Sequence, residues 1–215
     1  MNEEMRTLYY DYLILDDLRK NLSEDSPRYC SITYALLEVK NILKDYTSKE
    51  VAIARKILSK EFSKKGGTPS LKFSAVGHSH LDLAWLWPIR ETKRKAIRTF
   101  ATQLEMIERY PDYVYGASQP QQYEWIKQNE PDLYQRIKQA VEKGRIEPQG
   151  CMWVEPDTNI PCGESLVRQI FYGKKFFKDE FGKEIDILWL PDVFGFSATL
   201  PQLCAKSGVK YLCTI

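Results

Sequence analysis

The 215 residues contain only two histidines, His78 and His80, and five cysteines, none of them in a C-x-x-C pair. An odd cysteine count without that spacing argues against a disulfide framework and against a cysteine zinc site. Free thiols in a reducing cytoplasm are expected instead. A dominant charge sign is also missing: 31 basic side chains stand against 29 acidic ones, a net +2. That balance gives no electrostatic footprint for nucleic acid or an anionic membrane. The longest stretch without a charge, Val193 to Ala205, is well short of the ~20 apolar residues that a membrane helix needs. The opening MNEEMRTLYYDYLILDD is acidic and lacks a basic n-region with an apolar core, so no secretory signal is visible. A cytoplasmic protein with neither a nucleic-acid nor a membrane partner is expected.

What is present is ordinary for a globular chain: 43% hydrophobic and 28% charged residues. The length predicts one or two domains, and a chain of this size buries about 70% of its unfolded surface without disulfides. The first third reads as helical. Met5, Leu8, Tyr9, Tyr12 and Leu13 share one helix face. Beyond Ser26-Pro27 a second stripe runs through Ile32, Ala35, Leu36, Val39, Ile42, Leu43 and Tyr46. Thr47 and Glu50 have capping-box spacing and open a third helix carrying Val51, Ala54, Ile57 and Leu58. Lys64–Ser70, with two glycines and a proline, is the best boundary in the chain. It divides a small helical segment, 1–66, from a region 67–215.

In that second region short apolar runs alternate with helical stretches. Strands are predicted at 72–77, 113–117, 145–150, 186–190 and 209–213, and helices near 89–109, 120–142, 163–181 and 199–206. Pro131 breaks the second of these helices, since proline suits a first helical turn. Gly144 and Gly182 lie just past helix ends, where a left-handed residue is needed. Alternation of β and α predicts an α/β fold, a parallel sheet with helical cover. Five βα steps fall short of a closed β/α barrel, which needs about 200–250 residues, and the chain stops at an apolar strand. An incomplete barrel, truncated at its C-terminus, is expected. The strand 209–213, left as an edge, invites association into a homo-oligomer.

Parallel α/β folds carry their sites at the carboxyl ends of strands, and four polar clusters follow four predicted strands. Gly77-His78-Ser79-His80-Leu81-Asp82 holds both histidines. Extended backbone would bring His78, His80 and Asp82 to one side, and imidazole with carboxylate suits a borderline divalent ion. A lone histidine is more often a core or hydrogen-bonding residue, but H-x-H-x-D after a strand favours a metal. His80 and Asp82 are the preferred ligands, and His78 is the candidate for a residue behind them that orients a ligand by hydrogen bonding. Trp189-Leu190-Pro191-Asp192-Val193-Phe194-Gly195 places one carboxylate amid apolar residues. A buried, unpaired charge is costly without a cation or hydrogen bonds, so Asp192 is expected to ligate a metal or attack a substrate rather than cap a turn. Gln149–Asn159 contains Trp153, Glu155 and Asp157, a mixture that suits a sugar, although alone it reads as a polar loop with a packed tryptophan. Gln119-Pro120-Gln121-Gln122 reads as a helix start with a wall contact.

The segments GHSHLDLAWLWPIRET, QGCMWVEPDTNIPCGES and WLPDVFGFSATLPQ, in this order and spacing, closely resemble the motifs of glycoside hydrolase family 38, the class II α-mannosidases. The likeness covers about residues 70–215; the helical prefix more weakly resembles the extension of the bacterial and cytosolic branch. The resemblance implies a distorted seven-stranded parallel β/α barrel, one zinc ion, and release of terminal mannose from α-mannoside oligosaccharides with retention of configuration. It makes His80 and Asp82 zinc ligands, Asp192 both zinc ligand and nucleophile, and Trp85 an aromatic residue lining the mannose site. The remaining substrate-binding candidates are Trp153, Glu155 and Asp157. The family's fourth ligand, a histidine, and its general acid/base, an aspartate, have no counterpart up to Ile215, so these residues alone are expected to be inactive. Two other readings remain beside it. A metal-dependent sugar deacetylase would use a similar Asp/His site to activate water, and a non-catalytic carbohydrate-binding module would need no complete catalytic pair.

Overall fold

The computed structural model of the chain describes residues 3–65 and 73–214. The chain divides into two compact units, Met1–Phe73 and Ser74–Ile215. The expected boundary segment lies outside the described residues from Gly66 onward.

The first unit packs three helices on one another: α1 (Glu3–Lys20), α2 (Pro27–Ile42) and α3 (Ser48–Phe62). Ser26 starts α2, its hydroxyl accepting the Tyr29 N–H at 3.1 Å, with Pro27 as the first helical residue. Thr47 and Glu50 form the reciprocal capping box at the start of α3. The core is Leu8, Leu15, Ile32, Ala35, Leu36, Val39, Val51, Ala54, Ile57 and Leu58. The face expected for α1 is partly corrected: Tyr9 and Leu13 are 59% and 38% exposed, while Met5, Leu8, Tyr12 and Leu15 face the core. Those four positions alternate by three and four residues, the seam of a helix packed along its neighbours, and Tyr9 and Leu13 sit one step beyond it. Tyr46, also expected inside, is exposed past the end of α2.

The second unit is mixed helix and sheet with parallel strands. Strands β1 (Gly77–His78), β2 (Tyr115–Ala117) and β3 (Ile146–Pro148) form one sheet in chain order, and β4 (Ile187–Trp189) and β5 (Tyr211–Cys213) form a second. All pairings are parallel; Tyr115 stands opposite Gly77 on one side and Ile146 on the other, and Leu188 opposite Leu212. Between the sheets one hydrogen bond, Cys151 N–H to the Ile187 carbonyl at 2.9 Å, continues the series. The ladder stops there for a local reason: Pro148 has no N–H to donate, and Gly150 turns the backbone at φ +75. The strand expected at 72–77 is reduced to Gly77–His78. Lys72 lies outside the described residues, and Phe73 to Val76 are exposed and lie outside any strand.

The connecting helices are α4 (Ile89–Arg109), α5 (Pro120–Asn129), α6 (Pro131–Glu142), α7 (Gly163–Phe181) and α8 (Leu200–Lys206). Pro131 separates α5 from α6, and Gly144 and Gly182 take the left-handed conformation at φ +67 and +66. α4 buries Thr92, Ala96, Phe100 and Leu104, four positions at i, i+4 spacing. Phe100, Phe177 and Phe181 meet the buried Tyr123 edge-on, and Phe176 meets it at a tilt. Full burial of each large side chain contributes about 1.5–3 kcal/mol, so this aromatic cluster fixes α4, α5 and α7 relative to the strands. α7 also approaches the loop after β3 closely: a Cβ on Gly173 would stand 2.2 Å from the Cys151 carbonyl oxygen. None of the helices, among the described residues, is long and apolar enough to cross a membrane.

Candidate metal centre

Three loops at the carboxyl ends of strands build the site. The loop after β1 carries His80 and Asp82, the loop after β3 carries Trp153 to Asp157, and the loop after β4 carries Asp192. The loop after β1 is held from below. Leu81 is buried, and its carbonyl accepts from Gln119 Nε2 at 3.0 Å and Gln122 Nε2 at 3.4 Å. Its far end is pinned by the buried Thr92, whose hydroxyl donates to the Leu83 carbonyl at 2.5 Å and accepts from Trp87 Nε1 at 3.1 Å. The loops after β3 and β4 are tied together: buried Thr158 Oγ1 accepts the Ser197 N–H at 3.0 Å.

His80, Asp82 and Asp192 converge, one ligand atom from each lying within 4.8 Å of the others. His80 Nε2 is 3.4 Å from Asp82 Oδ1 and 3.5 Å from Asp192 Oδ2. Donors about 2.0–2.2 Å from a tetrahedral ion stand about 3.3–3.6 Å apart, and both His80–carboxylate separations match that spacing. The side chains are 29%, 36% and 43% exposed, which leaves the position open to a further ligand. Asp192 departs from the expectation of a buried, unpaired charge. It is solvent-accessible, and the neighbouring imidazole and carboxylate, not desolvation, define its environment.

The other ring nitrogen of His80 faces Glu155, whose Oε2 is 3.1 Å from Nδ1. Glu155 is only 6% exposed, and its Oε1 accepts from Ser118 Oγ at 2.7 Å. The Glu155 carboxylate, followed by Asp82, raises the His80 pKa to about 9, outweighing the opposing effect of burial. A group of carboxylates that favours a proton here equally favours a metal cation.

The remaining sequence candidates are placed differently. His78 does not join the triad. Its Nδ1 meets the Gly116 carbonyl at 3.0 Å, its ring tilts against Trp189 at 4.9 Å, and its Nε2 is buried without a partner. Trp85 is 67% exposed and edge-on to Trp87. Trp153 packs on Phe176, its indole N–H donating to Gln121 Oε1 at 3.1 Å. Asp157 Oδ1 accepts from the Asn159 and Ile160 N–H groups at 2.7 and 2.9 Å, which hold its pKa below the usual carboxylate value. Sequence reasoning gave no role to Ser118 and only a wall contact to Gln119. The one available signal was their position after a strand, and serine and glutamine are common there.

The family model for the glycosyl hydrolases family 38 N-terminal domain matches residues 70–215. Alpha-mannosidase 2C1 of Homo sapiens is 38% identical over 213 residues, covering 99% of this chain and 20% of that protein. Alpha-mannosidase G of Dictyostelium discoideum is 39% identical over 214 residues, again 99% and 20%. The chain thus spans about a fifth of the length of the curated relatives it matches. Among solved structures, an alpha-mannosidase from Enterococcus faecalis V583 superposes with a TM-score of 0.60 at 24% identity, over 65% of this chain and 16% of that one. That likeness concerns the fold, and the family follows from residues 70–215: the chain belongs to glycosyl hydrolase family 38.

Proposed function

We propose that the protein is a zinc-dependent, retaining α-mannosidase that releases terminal α-linked mannose from oligosaccharides in the cytoplasm. In this reading residues 67–215 form the first part of a seven-stranded β/α barrel, and 1–66 form a helical segment ahead of it. The observation that carries the proposal is the His80–Asp82–Asp192 cluster at 3.4 and 3.5 Å, in a chain of this family. Zinc fits because the donors are one imidazole and two carboxylates, with no competing thiolate in the cluster.

His80, Asp82 and Asp192 would hold the ion. When bound, it supplies polarisation and alignment for adjacent sugar hydroxyls. The cis 2- and 3-hydroxyls of mannose suit such a grip, and glucose lacks that arrangement. Asp192 attacks the anomeric carbon and forms a glycosyl-enzyme ester. A second carboxyl group about 5–5.5 Å away first protonates the leaving oxygen and then takes a proton from water. By the family pattern that aspartate, and a further histidine ligand, lie C-terminal to Ile215. Exposed Trp85 offers an aromatic face for the sugar ring, while Trp153 and Asp157, with polar atoms bonded within the chain, shape their own loop.

The test is elemental analysis of the full-length protein beside its His80→Ala and Asp82→Ala variants, with an aryl α-mannoside assay. Near-stoichiometric zinc in the wild type and a sharp loss in both variants is expected. Undiminished zinc in both variants, or no release of mannose from the aryl α-mannoside while an N-acetylated sugar supplied in parallel loses acetate, overturns the reading.

A further inference from the structure

We propose that Glu155, anchored by Ser118, is the positioning residue of His80, holding the Nδ1 edge of the ring so that Nε2 is the nitrogen presented between Asp82 and Asp192. The proposal rests on the metal-site reading above and adds to it the group that sets the ligand's tautomer. A neutral imidazole has one N–H and one lone pair, and only the lone pair can bind a cation. Which nitrogen keeps the proton is decided by what the other edge of the ring faces.

Three observations converge on Glu155. Its side chain is 6% exposed, which places it beneath the site rather than on its surface. It is fixed at two points, Oε1 by the Ser118 hydroxyl at 2.7 Å and its backbone N–H by Gln119 Oε1 at 3.3 Å. Its Oε2 is buried without a hydrogen-bond partner and stands 3.1 Å from His80 Nδ1. A buried carboxylate oxygen left unpaired is costly, and a turn of the His80 ring satisfies it with the Nδ1–H. Because Oε2 addresses the edge of the ring opposite to Asp82 and Asp192, Glu155 orients the ligand without being one. His78, the other candidate for that task, is committed to Gly116 and Trp189.

The experiment uses full-length wild type, Glu155→Ala and Glu155→Gln, with zinc affinity measured by competition against a chromophoric chelator. Crystal structures of the metal-free proteins report the His80 ring orientation. Glu155→Ala is expected to bind zinc about 10–100-fold more weakly, the usual scale for losing such a partner, with the His80 ring turned away from Asp82. Glu155→Gln, which keeps an acceptor but no charge, falls between alanine and wild type. If the alanine variant fails to fold, Glu155→Met preserves volume without an acceptor and serves in its place. Wild-type affinity together with an unmoved His80 ring overturns the proposal and leaves the metal site intact. A wild type that takes up no zinc overturns the metal reading instead, and the ring orientation still decides the role of Glu155.

Discussion

Gln119 Nε2 donates to the carbonyl of Leu81 at 3.0 Å, and Leu81 is the residue between His80 and Asp82. The same side chain accepts the Glu155 N–H through Oε1 at 3.3 Å. One buried amide therefore braces the loop after β1 against the loop after β3. Gln119 does so with φ +66, a left-handed conformation that costs a non-glycine residue about 1–2 kcal/mol. Strain of this kind persists only where surrounding contacts over-determine it. Gln119→Ala keeps the strained backbone and removes both hydrogen bonds, so it should lower stability by about 1–3 kcal/mol and weaken zinc binding. Thermal unfolding and chelator competition check both effects, and an unchanged midpoint with unchanged affinity would contradict the bracing role.

In the proposed reading, Asp192→Asn removes the charge that would attack the sugar and one of the three candidate ligands. Turnover of an aryl α-mannoside by the full-length protein should fall by roughly 10⁴-fold or more, the scale of losing a nucleophile, with the circular dichroism unchanged. Peptide mapping after a mechanism-based mannosyl inhibitor should find the label on Asp192. A label on another carboxylate would place the nucleophile elsewhere.

Gly173 is the point where α7 meets the loop that leads to Glu155. A methyl group there would stand 2.2 Å from the Cys151 carbonyl oxygen, and backbone yields less readily than a flexible side chain. Gly173→Ala should destabilise the protein by about 1–3 kcal/mol, despite the better helix propensity of alanine. Denaturant unfolding checks the sign, and a stabilised variant would mean that the helix and loop separate freely.

In the helical unit the buried Glu61 carboxylate meets Arg28 at 3.0 Å, Lys64 at 2.7 Å and the Ser31 hydroxyl at 2.9 Å. Burial raises its pKa, but Lys64, Ser31 and Arg28 together lower it more, so the net shift is downward. A carboxylate with a depressed folded pKa contributes stability that is present above its ordinary value and is lost as pH falls through the folded value. Glu61→Gln should therefore lower the stability of this unit at neutral pH, by about 1.5–3 kcal/mol for the charged hydrogen bonds lost. The difference from wild type should shrink in acid below the folded pKa. Hydrogen exchange of α1 to α3 across pH reads it, and a constant difference down to strong acid would assign the effect to packing.

Much of the architecture follows from local grammar. The capping box at Thr47 and Glu50, the helix break at Pro131 and the left-handed glycines at 144 and 182 depend on neighbours within a few residues, and they appear where the sequence places them. The His80–Asp82 pairing is of the same kind, because two residues of separation in a loop after a strand fix it. Strand length and helix face are not local. Phe73 to Val76 read as strand yet stay unpaired, and Tyr9 and Leu13 read as core yet face outward, since each outcome depends on what another element covers. The site divides the same way. Asp192 lies 110 residues beyond Asp82 and reaches His80 only because the fold brings the loop after β4 to the loop after β1. Glu155 behind His80, with Ser118 and Gln119 behind Glu155, is a tertiary fact altogether. Nothing in their spacing distinguishes a carboxylate beneath an imidazole from one in a polar loop, and only parallel strands packed side by side bring those three loop ends within hydrogen-bonding distance.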